Sequence, residues 1–357
     1  MEKEEKGNLL LRDYLPFSKL VVPQHLVEKP RYPVIDAHNH LWISEWGVDK
    51  QKASDLLAII DQAGVQMIVD LTNAWGEKLQ SHLDTYQNPL PDRFSVFACV
   101  DWERFKTESN FGPWAARSLE DSVSRGARGL KIFKNFGLRV CDATGTLARV
   151  DDPRLAPLWD KAAELNIPVL IHVGDPVAFF DPLDRFNERY EELIRHPNWH
   201  FYGPPFPSFL EIMDQFAALV ERHRDTTFIG AHVGCYPENL SFASDLMDRC
   251  PHFYVDISAR LAELGRQPYT ARRFFLRHAD RILFGTDTRP NVEEYRIHYR
   301  FLETADEYFP YTPSEPPSQG RWRIYGLYLP PEVLEKVYYR NAARLLKLDE
   351  TDAGGKA

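Results

Sequence analysis

Cysteine is scarce in this sequence, and long apolar runs are missing altogether. The 357 residues include four cysteines, Cys99, Cys141, Cys235 and Cys250. Their spacings fit neither a Cys-x-x-Cys zinc pattern nor a dense disulfide framework. A reduced, cytoplasmic setting is therefore the expectation. Cys235 stands near His232 in sequence, yet a small buried thiol is a simpler role for it than a nucleophile. No stretch approaches the ~18 apolar residues needed to span a bilayer. Residues 1–7 are charged and hold no apolar h-region, so no secretory signal is read there. Positive charge is not in excess either. Lys and Arg number 43 against 52 Asp and Glu, giving a net charge of −9 and a pI near 5.8. That balance argues against nucleic acid or an anionic membrane as the main partner, because both select basic surface. A small-molecule partner is left, and a homo-oligomer is compatible with the same composition. Low-complexity tracts and short internal repeats are also lacking.

What is present suits an ordinary globular protein, 44% apolar and 27% charged. The length permits one large domain with a sizeable core. From residue 33 onward, short apolar runs alternate with segments of helical period. Strands are expected over 34–37, 65–71, 94–100, 128–133, 167–172, 226–232, 253–257 and 281–287. Helices are expected over 53–63, 77–86, 114–124, 152–165, 208–222, 240–249, 268–278 and 331–346. Gly64 reads as the stop of the first helix, and Asp152-Pro153 as a cap and first turn. Eight near-continuous apolar strands, each followed by a helix, define an α/β class and a (β/α)8 TIM barrel.

Around this barrel, assigned to 33–350, residues 1–32 read as an N-terminal arm, with 9–20 able to pack as a short helix. Residues 351–357 read as a small polar tail that frays. Long connections are expected after strand five (174–207) and after strand eight (289–330), as covers or insertions.

The functional pattern lies at the strand ends, where (β/α)8 barrels carry their active sites. Strand one ends in His38-Asn39-His40. Residues two apart on a strand share a face, so both imidazoles point one way. Strand five closes on His172, strand six on His232 and strand eight on Asp287. Five such residues at one rim are hard to assign to packing, and three imidazoles with a carboxylate suit a borderline divalent ion. Lys131 and Lys134 mark the end of strand four. They are candidates for binding an anionic substrate group, against an interior lysine paired with a carboxylate. Arg260 and Arg289 follow strands seven and eight, and an arginine fork suits a carboxylate. Trp42, Trp75 and Tyr236 follow strands one, two and six. The two tryptophans offer stacking surfaces for a planar or sugar-like substrate.

These motifs resemble the amidohydrolase superfamily, in particular its amidohydrolase-2 branch. That branch contains lactone and amide hydrolases and the non-oxidative decarboxylases related to aminocarboxymuconate-semialdehyde decarboxylase. The resemblance runs from Val34 to about Leu346. It is carried by Ile35-Asp36-Ala37-His38-Asn39-His40, Val169-Leu170-Ile171-His172, Ile229-Gly230-Ala231-His232, Leu283-Phe284-Gly285-Thr286-Asp287 and Arg340-Asn341-Ala342-Ala343-Arg344-Leu345-Leu346. It implies one divalent metal, zinc first and manganese or another ion second, held by His38, His40, His172 and Asp287. His232 would stand beside the metal as an acid/base, with Asp287 also accepting a proton. Some members carry a carboxylated lysine on strand four that bridges two metals, and Lys131 and Lys134 lie in that region. A metal lowers the pKa of a water from about 15.7 toward about 7 and polarises a carbonyl. The first expectation is thus a hydrolase of a lactone, ester or amide bond in a small anionic substrate, since Asp36 to Trp42 resembles the opening of the sugar lactonases. The alternative is a decarboxylase or hydratase of a carboxylated aromatic or a dienoate. A barrel that only binds its ligand is the third reading, and the complete set of five residues speaks against it.

Overall fold

The computed structural model describes residues 8–42 and 50–348. Parallel strands run in chain order as β1 (Val34–Asn39), β2 (Val65–Asp70), β3 (Phe94–Val96), β4 (Leu130–Ile132), β5 (Val169–Ile171), β6 (Phe228–Gly230), β7 (Phe253–Asp256) and β8 (Ile282–Leu283). Regular pairing forms two runs, β1-β2-β3 and β4 to β8. Two seams of backbone hydrogen bonds join them. At the first, the Ala98 N–H donates to Gly129 O at 2.9 Å, and the Lys131 N–H to Ala98 O at 2.7 Å. At the second, the Ala37 N–H donates to Phe284 O at 2.9 Å, and the Asp287 N–H to His38 O at 2.8 Å. The sheet thus closes into the expected barrel, and closure removes the edges an open sheet would expose.

Side-chain alternation sorts the strands into two faces. Ile35, Met67, Val69, Phe97, Leu170, Ile229 and Leu283 form one cluster, joined by Tyr339 and Ala342 from the C-terminal helix. By alternation this is the inner face. Val34, Ile68, Ile132, Val169, Phe228 and Val255 belong to the larger cluster that includes Leu56, Leu119, Trp159 and Phe216 from the helices. Lys131 sits between Leu130 and Ile132, so its side chain goes inward.

Local signals act where the sequence places them. The helix Ala53–Ala63 ends at Gly64 with φ of +80°, the left-handed conformation that glycine adopts freely. Asp152 accepts from the Arg154 N–H ahead of Pro153–Leu155. Ser208 and Glu211 form a reciprocal capping box at the start of Phe209–Arg222.

The arm and the long connections differ from expectation. In place of a packed helix over 9–20, only one 3-10 turn forms, Leu11–Asp13. Leu9, Leu10, Tyr14, Phe17 and Leu20 are exposed, so no apolar stripe finds a surface to cover. The arm is tied further on, where the His25 N–H donates to Asp306 Oδ2 at 2.7 Å. The connection after β8, expected as loop, contains a helix, Val292–Glu303. Asn291 caps it, accepting from the Glu293 N–H at 2.9 Å. The connection after β5 holds a short helix, Tyr190–Arg195. It is pinned by buried Arg189, which donates to Glu192 at 2.7 Å and to Glu263. The tail 351–357 lies outside the described residues. Among the described residues, no helix is long and apolar enough to cross a membrane. All four cysteines are free, and Cys235 is buried.

Candidate metal centre

Five side chains converge at the C-terminal rim, and the backbone there is shaped to aim them. His38 lies near the end of β1, where the register with β2 shifts between Asp36 and Asn39. His172 follows β5 directly. His232 and Asp287 lie two and four residues beyond their strands, in left-handed backbone at φ +56° and +55°. Such conformations cost about 1–3 kcal/mol each in a non-glycine residue. Specific bonds hold them: the His232 N–H donates to Asp256 Oδ1 at 3.0 Å, and the Asp287 N–H to His38 O. Buried Asp36 anchors the β8 rim to β1, accepting from the Thr286 N–H at 3.0 Å and from the Tyr295 hydroxyl at 2.8 Å.

Asp287 is the meeting point. Its Oδ1 lies 3.2 Å from His40 Nε2 and 3.7 Å from His38 Nε2, and its Oδ2 lies 3.7 Å from His232 Nε2. Atoms of His38, His232 and Asp287 lie within 4.8 Å of one another, the group among the described residues with metal-ligand spacing. The ring of His172 is 4.4 Å from that of His232.

The hydrogen-bond network assigns a proton to one nitrogen of three rings and leaves the other as a lone pair. His38 Nδ1–H donates to Asp256 Oδ2 at 2.8 Å, leaving Nε2. His232 Nδ1–H donates to Ser258 O at 2.8 Å, leaving Nε2. His172 Nε2–H donates to Gly174 O at 2.8 Å, leaving Nδ1. Burial pushes all three imidazoles down, His172 to about 4 and His232 well below its ordinary value. Burial alone would raise Asp287, but His38 and the other imidazoles outweigh it and hold the carboxyl well below the usual range. Neutral imidazole lone pairs facing a carboxylate are the donor set a divalent ion needs, so the residues fit a metal.

The substrate candidates divide. Lys131 is fully buried off the cavity wall, with Nζ 3.3 Å from His38 Nε2. Burial lowers its pKa. Lys134 lines the cavity and pairs with Asp175 Oδ2 at 2.5 Å. Arg260 and Arg289 also line it. Trp42 instead stacks on His82 at 4.9 Å. Trp75 packs beside Cys99 and Phe133, and Tyr236 meets Phe209 edge-on at 4.7 Å. These three stand off the wall. Their side chains are held by these neighbours rather than turned to the mouth.

Sequence reasoning missed Asp256, Ser258, Asp175 and Glu294. Asp256 carried a usable signal, since it closes the apolar run Phe253-Tyr254-Val255 as Asp287 closes strand eight. The cavity above the cluster has a volume of about 1180 Å³. Phe133, Phe179 and Trp199 supply aromatic wall, and Arg260 and Arg289 supply charge.

A closed (β/α)8 barrel with a His/Asp donor set at its C-terminal rim defines the class. The family model of the amidohydrolases matches residues 35–348, and the chain belongs to that family. Solved structures share the fold. The 2,6-dihydroxybenzoate decarboxylase from Rhizobium is 18% identical, covers 89% of this chain and 99% of its own, and has a TM-score of 0.57. A dihydroxybenzoic acid decarboxylase from Polaromonas sp. JS666, with bound manganese and the inhibitor 2-nitroresorcinol, is 17% identical over 91% and 100%, with a TM-score of 0.55. The 5-carboxyvanillate decarboxylase from Sphingomonas paucimobilis is 13% identical over 89% and 99%, with a TM-score of 0.54. No curated protein sequence matches the chain.

Proposed function

We propose that the protein is a metal-dependent, non-oxidative decarboxylase of an aromatic carboxylic acid. The observation that carries this reading is the wall above the His/Asp cluster, where Phe133, Phe179 and Trp199 accompany Arg260 and Arg289. Planar apolar faces suit a ring, and guanidinium forks suit its carboxylate. The hydrolase of lactones, esters or amides, the first expectation, would use the same metal donors. Its favour rests on the opening Asp36 to Trp42, whereas the aromatic wall and the three similar decarboxylases favour the alternative.

His38, His40, His172 and Asp287 would hold one divalent ion, manganese or zinc. When bound, the ion supplies positive charge that steadies the substrate's oxygens as negative charge builds on the ring. The chain's own groups do the rest. Arg260 orients the carboxylate. The aromatic wall excludes water from the ring. As the ring–carboxylate bond breaks, its electron pair stays on the ring carbon, and carbon dioxide leaves. A proton then adds to that carbon through His232 Nε2, whose lone pair first takes that proton up from solvent, with the Asp287 carboxylate 3.7 Å away steadying the cationic ring until the proton is passed on. Free, mostly buried cysteines support a cytoplasmic setting.

The test is carbon dioxide release from a panel of hydroxybenzoates, with the metal stripped and restored, beside hydrolysis of lactones and amides. Metal-dependent release from an aromatic acid is the expected result. Hydrolysis of a lactone or amide with no release from any acid would return the hydrolase reading.

A further inference from the structure

The cavity is larger than a one-ring acid requires. Sites for drug-sized ligands run to about 300–1,000 Å³, and this one reaches about 1180 Å³. A series of contacts leads outward from the histidines. Asp175 lies 3.5 Å from His172 Nε2 and pairs with Lys134. Lys134 Nζ stands 5.2 Å above the Trp199 ring. Trp199 stacks with Phe179 at 6.2 Å and with His196 at 4.1 Å. At this end of the cavity Trp199 is 37% exposed, and Arg139 and Arg195 are exposed beside it.

The charge on this outer wall is net positive, and Glu191, the acid that feels Arg195, is held down chiefly by its hydrogen bonds to Arg321. Arg139 donates to Asn198 O at 2.6 Å, and Arg195 to Ser318 O. Among the described residues, neither guanidinium makes an ion pair with a carboxylate. The acids of the cavity are committed elsewhere: Asp175 to Lys134, Glu192 to Arg189 at 2.7 Å, and Asp287 to the histidines. Among the described residues, Glu294 has only the Thr312 hydroxyl as a side-chain partner, at 3.2 Å, and burial pushes its carboxyl up to about 7. A stacked aromatic platform flanked by two unpaired arginines is a surface for a flat group that ends in an anion.

We propose that the outer part of the cavity, formed by Trp199, His196, Arg139 and Arg195, is a second subsite, and that the substrate is a two-ring aromatic diacid. This rests on the reading of the inner site as one that takes an aryl carboxylate. The inner ring lies over the metal cluster, and the outer ring lies against the exposed part of Trp199 with its carboxylate between the two arginines.

The test measures binding, so it does not depend on turnover. Salicylate and 5-(4-carboxyphenyl)salicylate share an inner end and differ in the outer ring. Their affinities for the metal-loaded full chain are compared by calorimetry. The two-ring diacid is expected to bind at least about tenfold more tightly, from one stacked ring and one charge-assisted contact. Arg139→Gln with Arg195→Gln should reduce that advantage to about threefold or less and leave salicylate binding unchanged, and Trp199→Ala should weaken the two-ring diacid at least about threefold more than it weakens salicylate. Equal affinity of the two compounds for the wild type, or equal weakening of both by the variants, overturns the subsite. Failure of either compound to release carbon dioxide would count against the decarboxylase reading alone.

Discussion

Asp256 gives the sharpest test of how the donor set is prepared. Its Oδ1 accepts three bonds: the His232 N–H at 3.0 Å, the Ser258 N–H at 3.0 Å and the Ser258 hydroxyl at 2.6 Å. Its Oδ2 accepts one, His38 Nδ1–H at 2.8 Å. Burial alone would raise this carboxyl, yet the His38 contact and its neighbours hold it well below the usual range. In Asp256→Asn the side chain must choose where to put its NH2. Two backbone donors and a hydroxyl face one position, and a single ring nitrogen faces the other. The amide oxygen therefore takes the Oδ1 place, and its NH2 meets His38 Nδ1. Two donors cannot share that contact. His38 must move its proton to Nε2, which removes the lone pair aimed at Asp287. Loss of a carboxylate behind a metal-binding histidine commonly weakens affinity by about 10–100-fold, and the forced tautomer change puts this variant near the upper end. That is about 2.7 kcal/mol at about 1.4 kcal/mol per tenfold. Titration of the apo protein with Mn²⁺ against a competing chelator dye measures it, with urea unfolding as a check that the fold survives. An affinity within threefold of wild type, in a folded variant, would refute the claim that Asp256 sets the His38 tautomer.

Two further predictions concern the histidines. His172→Ala is expected to lose the metal, and His232→Ala to keep it while losing activity; metal content of the purified variants decides this. An empty site in His232→Ala would make His232 a ligand, as its spacing to His38 and Asp287 allows. His298 is buried on the cavity wall, with Nδ1 donating to Glu294 O at 2.7 Å, and burial pushes it down to about 4 from an ordinary 6.5. Its folded pKa lies below the unfolded one, so it contributes stability above pH 6.5 that is lost as pH falls through 4. Two and a half pKa units correspond to about 3 kcal/mol. His298→Gln should lose about that much less than wild type between pH 7 and pH 4 in urea unfolding, and equal losses would refute it.

The barrel was legible because its strands announce themselves. Apolar runs such as Ile167 to Ile171 are buried on both faces and need no alternation to be seen. The helix Val292–Glu303 escaped for the opposite reason. Its buried face is Tyr295, His298, Tyr299 and Leu302, so aromatic and polar residues carry a period usually read from Leu, Ile and Val. Residues 9–20 show the converse error. They hold enough apolar residues to suggest a packed helix, but packing needs a partner surface, and those side chains stay exposed.

At the rim, residue type was legible and direction was not. A histidine or aspartate closing an apolar run marks itself, and His38, His172, His232 and Asp287 all arrive at one place. Trp42 and Tyr236 also follow strand ends, yet they turn to His82 and Phe209. His232 and Asp287 reach the site by the turn beyond their strands. At His232, Val233 and Asp287 the backbone is left-handed at φ of +56°, +59° and +55°, a state that none of these residue types prefers. It persists because distant acceptors capture the amides: Asp256 takes the N–H of His232, and the His38 carbonyl takes that of Asp287. A local pattern cannot contain such bonds, since the partners stand 24 and 249 positions apart in the chain. The site is therefore a property of barrel closure. Until β8 meets β1, nothing holds Asp287 in the conformation that faces the imidazoles. Metal affinity and closure of that seam should consequently be lost together when the barrel opens.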